Sequence, residues 1–282
     1  MAITTTASLG GLFNSIYERS LFVARELNLM INLVSNYSDN TFHTRTFTTR
    51  PEVSAETVAE GVDYANPTTF GKSSVGSLTP SEVINQVILT DVEIMNDPDN
   101  SVADASQEMG EAIATKIDTD LVGVFASFSD DCGPGAGNAA TISDIAAGIS
   151  ILRNRKAIGV NVVLHPYQWH DIWVLLGQPT TNQALLGDVA NEALRQFFLG
   201  NWLGANWYVS SNIAIDGSDD AVGGVFNAQS IAFDSRIAPH MEIERDASLR
   251  AWELNMVAGY AVGLGKRPTF GLKYTSDATT PT

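Results

Sequence analysis

Apolar positions along the first part of the chain step by three and four. Phe13, Ile16, Tyr17, Leu21, Ala24, Leu27, Ile31 and Val34 fall in this rhythm, so residues 12–37 read as one amphipathic helix or two short ones. From residue 41 the texture alternates. Thr-Phe-His-Thr-Arg-Thr-Phe-Thr-Thr-Arg-Pro over 41–51 reads as a strand closed by proline. The centre, from Asn66-Pro67 to Gly76, is turn chemistry. Residues 81–93, with Val83, Val87, Leu89 and Val92, read as the returning strand of a hairpin-like excursion of some fifty residues. Large apolar residues are sparse near its tip, so it cannot build a core of its own.

The clearest helix follows over 104–128. Asp104 is its expected N-cap, with Gln107 three residues on as in a capping box. Met109, Ile113, Ile117, Leu121, Val124 and Phe128 form its stripe, and Asp118 and Asp120 fall off it as surface carboxylates should. Thr141 opens another helix with Ile142, Ile145, Ile149 and Leu152 on one face and Gly159 at its end. Residues 160–164, Val-Asn-Val-Val-Leu, read as a buried strand, and Pro166 begins a helix to residue 176. Residues 182–199 read as helical, Trp207-Tyr208-Val209 and Gly224-Val225-Phe226 as strands, and 241–274 as long strands. The middle region is thus an α/β layer. No internal repeat is present.

Charge adds a constraint. The net charge is −16, and the stretch from Glu52 to Asp120 holds fourteen acids against Lys72 and Lys116 alone. Such a surface repels phosphate backbones and anionic membranes, which argues against sequence-reading of nucleic acid. No apolar run approaches the ~18 residues of a membrane span. Met1-Ala2-Ile3-Thr4 lacks a secretion signal's basic start, so the protein is expected to be cytosolic when made. The acidic stretch reads as a solvated face or as complementarity between neighbouring copies.

Candidate chemistry is thin. The single cysteine, Cys132, excludes an intramolecular disulfide, and its neighbours Asp130 and Asp131 should raise the thiol pKa. His165 and His170 are five apart, not the four that aligns two ligands on a helix. With His43 and His240 they read as structural. Gly133-Pro134-Gly135-Ala136-Gly137 lacks the lysine of a phosphate loop and reads as a flexible connector. Asp97-Pro98-Asp99-Asn100 lacks the glycine and closing glutamate of a calcium loop, and Gly217-Ser218-Asp219-Asp220 reads as a turn. No serine sits in a nucleophile elbow. Trp169 and Trp173, with Trp202 and Trp207, read as a core or interface cluster. No catalytic, cofactor or metal residue is assigned, and the chain reads as a structural protein rather than an enzyme.

The order of elements is arm, acidic hairpin, long helix, α/β middle, late long strands. With Val58-Ala59-Glu60-Gly61, the run from Gly110 to Asp118, Val163-Leu164-His165-Pro166, the run from Gly200 to Ser211, and Gly224-Val225-Phe226-Asn227 followed by the 245–260 strands, it resembles the major capsid protein of tailed bacteriophages. That fold is shared with encapsulin shells. The resemblance implies an α+β architecture: an N-terminal arm over 1–40, an extended loop over 41–92, and a peripheral domain with its spine helix over 93–140. An α/β axial domain over 141–222 and peripheral return strands with a tail over 223–282 complete it. It also implies an icosahedral head of hexamers and pentamers that encloses double-stranded DNA in the virion, assembled in the bacterial cytoplasm with a portal protein. A decoration protein is left open. Only about forty residues precede the hairpin, so a separate scaffolding protein is expected. Arg45, Arg50, Glu60, Asp63 and Lys72 are the intersubunit contact candidates. Lys72 lies where some relatives form a lysine–asparagine bond between subunits; a solvated lysine is the default. Two alternatives stand beside this reading, an encapsulin-like nanocompartment and a cytosolic α/β enzyme.

Overall fold

The computed structural model describes residues 29–65, 67, 69–96, 101–177 and 200–281. Most of the expected helix over 12–37, the helix over 182–199 and the acidic turn 97–100 lie outside them. In chain order the strands and helices are β1 (Ser35–Ser38), β2 (Arg45–Thr49), β3 (Ser73–Leu78), β4 (Ser81–Thr90), α1 (Asp91–Asn96), α2 (Ser101–Gly123), α3 (Ile142–Asn154), β5 (Val160–Leu164), α4 (Pro166–Gly177), β6 (Asn201–Trp202), β7 (Ala205–Val209), β8 (Asp220–Asn227), β9 (Ile231–Asp246), β10 (Ala251–Leu264) and β11 (Gly271–Asp277). Among the described residues the strands form three sheets: β1-β9-β10-β4, β11-β8-β5-β7-β6 and the pair β2-β3.

The long helix joins the two large sheets. Met109, Ile113, Ile117 and Leu121 are buried as their spacing predicts, in one core with Leu89, Leu254, Met256 and Tyr260 of the four-stranded sheet. Past Gly123 the chain tightens into a 3₁₀ turn, Val124–Ser127. There Phe125 and Phe128 press on the five-stranded sheet. A Cβ on Gly224 would lie 2.6 Å from the Phe125 ring, and one on Gly271 would strike Phe128, so both strand positions require glycine. The helix starts at Ser101, three residues before the expected cap at Asp104.

Strand β5 is buried along its whole length between parallel β7 and antiparallel β8. Val160, Val162 and Leu164 pack with Ile145, Ile149 and Leu152 of α3 and with Trp169 and Ile172 of α4. Val163 faces the other way, into the core around Phe125. The Thr141 hydroxyl accepts the Asp144 N–H and caps α3. The helix ends on Lys156 at φ 69°, not at Gly159: Ala157 N–H reaches Leu152 O and Lys156 N–H reaches Arg153 O, a Schellman closure.

Four further expectations change. The strand returning from the hairpin is β3, which pairs with β2; Ser81–Thr90 is instead an edge strand of the four-stranded sheet, antiparallel to β10. Residues 35–38 are not helical but a strand parallel to β9. A boundary at 222/223 would cut β8, and β11 also belongs to the sheet of β5, so only 231–264 of the return strands join the long-helix sheet. The 133–137 segment is fastened rather than flexible. Gly135 N–H donates to Thr275 O at 3.0 Å, Gly137 N–H donates to Asp220 Oδ1 at 2.6 Å, and a Cβ on Gly133 would clash with the Thr275 backbone.

Asp118 is the largest departure from the pattern. It is 1% exposed and accepts Met30 N–H at 2.9 Å, the Asn212 side-chain amide at 2.8 Å and the Ser210 hydroxyl at 3.4 Å. One carboxylate thereby ties residue 30 and the 210–212 loop to the long helix. Asp120 stays partly exposed, paired with Lys116 at 2.5 Å and accepting the Tyr260 hydroxyl at 2.8 Å. Asp118→Ala should cost about 3 kcal/mol, because buried donors lose a charged acceptor, and Asp118→Asn less. Urea unfolding of the unassembled subunit measures this; an unchanged midpoint for Asp118→Ala would show that the clamp carries no stability.

Candidate assembly interface

The excursion between β2 and β3 has a firm root and a bare tip. At the root, Phe47 and Leu78 bury against Ala232 and Ala261 of the long strands, with the Tyr37 ring 5.3 Å from that of Phe47. Beside them lies a buried ionic cluster. Asp234, fully buried on β9, accepts Arg45 Nε at 2.7 Å and Arg236 Nη2 at 2.5 Å. Arg236 also pairs with Asp39 at 3.2 Å and donates to Thr41 O at 2.5 Å. The hydrogen bond to Asp234 holds the Arg45 pKa above its ordinary value. The Asn40 N–H, helped by Arg236 and Arg45, holds the Asp39 carboxyl below its own.

From residue 50 to residue 72 the described residues form neither helix nor strand. Val53, Val58, Val62, Tyr64 and Phe70 are all exposed, between 42% and 61%. A turn at Val62 N–H to Ala59 O, with Gly61 at φ 78°, is the one internal backbone bond of the tip among the described residues. Apolar side chains left in water along a charged loop mark a surface that is finished by something else.

The candidate contact residues separate on this geometry. Arg45 is engaged inside its own chain, by Asp234, Asp39 and the Tyr37 ring 5.2 Å away. Arg50 lies 4.7 Å over the Phe70 ring and donates to Phe70 O at 3.5 Å. Glu60, Asp63 and Lys72 are exposed, with no ion pair or side-chain hydrogen bond among the described residues. Sequence reading missed Asp234, Arg236 and Asp39. The signal was present in Asp234-Ser235-Arg236, an i,i+2 charge pair on one face of an otherwise apolar strand start.

The candidates for chemistry are absorbed by structure. His165 Nδ1 accepts the Tyr167 N–H at 3.2 Å and so caps α4, while the His165 backbone N–H donates to Gln168 Oε1 at 3.0 Å; burial lowers the ring's pKa. Gln168 then bonds Ala221 O and Ser276 Oγ, locking the helix start to β8 and β11. Trp169, Trp202 and Trp207 form one cluster, with ring centroids 5.7 and 5.1 Å apart. Cys132 packs against Gly148, and burial, then the Asp131 charge, pushes its pKa up to about 12. Among the described residues no group of three or more His, Cys, Asp or Glu is placed to hold a metal, and no helix is long and apolar enough to cross a membrane.

A long helix thus lies between a long-stranded sheet and a separate α/β sheet, with a projecting hairpin. A family model described as phage capsid protein matches residues 81–274, and the chain belongs to that family. The fold is similar to that of a solved chain from Mycobacterium phage Che8, 18% identical, covering 88% of this chain and 90% of that one, with a TM-score of 0.67. It is similar to the capsid of cyanophage P-SCSP1u, at 15% identity, 89% of each chain and a TM-score of 0.69. It also resembles a virus-like particle from Pyrococcus furiosus, at 8% identity, 93% of this chain, 98% of that one and a TM-score of 0.58. No curated protein sequence matches the chain. The protein is a structural capsid subunit; its place is the virion, and it associates with copies of itself.

Two outcomes test this geometry. Asp234→Ala strands a buried arginine and should cost about 3–5 kcal/mol, whereas Arg45→Ala, at the exposed edge, costs less. Hydrogen exchange over 45–49 and 73–78 should rise in the first variant; unaltered protection there sinks the anchoring role. The Cys132 thiol should resist a maleimide at pH 8 until the chain unfolds. Its pKa is raised from 9.0 to about 12, so this contribution to stability is complete below pH 9 and is lost as pH climbs toward 12. A thiol that labels at once in the folded subunit contradicts this.

Proposed function

We propose that this chain is the major subunit of an icosahedral tailed-phage head, arranged in hexamers and pentamers around double-stranded DNA. The observation that carries it is the bare tip: exposed apolar residues and unpaired charges on a hairpin whose root is anchored by buried ions, in a chain of the phage capsid family. In this reading residues 41–92 lie over an adjacent subunit, through Glu60, Asp63 and Lys72 at the tip, with Arg50 at its base. Residues 93–140 with the long strands form the peripheral domain. The α/β layer from 141 forms the axial domain around the five- and six-fold axes, with β8 and β11 added to it. A net charge of −16 suits a wall that must not grip its DNA. The partners are copies of itself, a separate scaffolding protein and a portal protein, and assembly takes place in the host cytoplasm. The role is structural, without catalysis or cofactor.

Expressed with the neighbouring head genes, the chain should give closed shells by electron microscopy; expressed alone it should not give uniform heads. Replacing residues 53–70 with a short Gly-Ser turn should leave the subunit's thermal unfolding nearly unchanged and abolish shells. Shells that form normally without the tip would sink the overlapping-loop reading, and a strictly monomeric wild-type chain in the presence of its head genes would sink the capsid role.

A further inference from the structure

Five of the chain's sixteen basic residues converge on one cleft of about 730 Å³. It opens between the hairpin root (Arg50), the end of α3 (Arg155 and Lys156) and the turn before β11 (Lys266 and Arg267). The carboxylate among its lining residues is Glu52, 3.3 Å from Lys156. Behind the cleft, Arg155 is neutralised by Asp130 at 2.5 Å and tied to Thr269 O at 2.7 Å.

The other three cations are oriented but not neutralised. Arg50 rests on Phe70, Lys266 lies 5.6 Å from the Tyr37 ring centre, and Arg267 lies 5.1 Å from that of Phe270. An aromatic face steers a cation without cancelling its charge. None of the three meets a carboxylate among the described residues. Like charges held around one cavity repel, and an incoming anion relieves them. The Glu52 contact indicates the kind of anion: a carboxylate from the hairpin's own acidic run already sits at one corner.

That run supplies the rest. Residues 52–63 carry Glu52, Glu56, Glu60 and Asp63 with no base, and every residue in it is exposed. Glu56, Glu60 and Asp63 have no partner among the described residues. We infer that the basic cleft of one subunit receives the acidic hairpin tip, Glu56 to Asp63, of a second copy of this chain. This deepens the overlapping-loop reading and rests on it. A tip and a cleft on different parts of the same chain make a head-to-tail contact, the kind that closes rings. A nucleic-acid phosphate shares the chemistry, but a polyanion must approach through a surface of net charge −16, whereas the tip reaches the cleft as part of a neighbouring wall subunit.

The test mixes chains carrying Asp63→Cys with chains carrying Lys266→Cys, coexpressed with the head genes. Disulfide-linked dimers should appear on non-reducing gels of assembled particles, and not when either variant is used alone. Separately, Glu60→Lys with Asp63→Lys, and Lys266→Glu with Arg267→Glu, should each lower shell yield about tenfold or more, and the four changes combined should restore it. All four positions are exposed, so each subunit should keep its wild-type circular dichroism. If a reversal variant misfolds, the cysteine pair carries the test. Three results overturn the inference: no cross-link between mixed chains, no rescue by the combined reversal, or cleft-reversed shells that assemble normally and lose only their DNA. Wild-type shells beside any of these would spare the capsid reading, while wild-type chains that form no shells would overturn that reading instead.

Discussion

The subunit depends on one core, built along the long helix, that reaches both large sheets. The stripe from Met109 to Leu121 belongs to the four-stranded sheet, and the aromatic pair beyond Gly123 belongs to the five-stranded one. Phe125 and Phe128 reach the second sheet because Gly224 and Gly271 leave its backbone bare. A side chain at either glycine would push the layers apart, and at native packing density there is no slack to absorb it. Everything that projects from the body takes its direction from this joint, including the hairpin root on β9 and β10 and the end of α3 on the opposite sheet.

Buried charge fixes what apolar packing leaves loose. Asp118 holds the segment entering at Met30 and the 210–212 loop against the helix, and Asp234 holds the hairpin root to the long strands. Apolar contacts are tolerant of small rotations. A carboxylate that accepts several directed hydrogen bonds is not. The two acids therefore set angles and add to the stability that the cores supply. In the tip neither device operates, and its charges and valines stay in water.

What could be read from the sequence follows the range of the physics. The long helix, the buried strand Val160–Leu164 and the Thr141 cap are local or periodic, and the structure shows each of them; of the four expected tryptophans it gathers Trp169, Trp202 and Trp207. Asp118 looked like a surface residue because the helix period alone says so; it is covered by residues 30 and 210–212, far away in sequence. Ser73–Leu78 contains Gly and three serines and has little strand character of its own, so its pairing with Arg45–Thr49 comes from Phe47 and Leu78 burying together on the long strands. The basic cleft is drawn from residues 50, 155–156 and 266–267. Its trace in the sequence was the pair of adjacent basic doublets in an otherwise acidic chain.

The tip that lacks a core has a kinetic consequence. Fixing even a third of residues 50–72 against a neighbour costs on the order of 10 kcal/mol of conformational entropy. That charge is levied on every contact, correct or not, and only a fully seated tip recovers it. In the overlapping-loop proposal, a subunit that joins a growing shell at the wrong angle stays weakly held and leaves again. On that proposal, ordering the tip only against a correctly placed neighbour works as proofreading, keeping early additions reversible until the lattice around them is right.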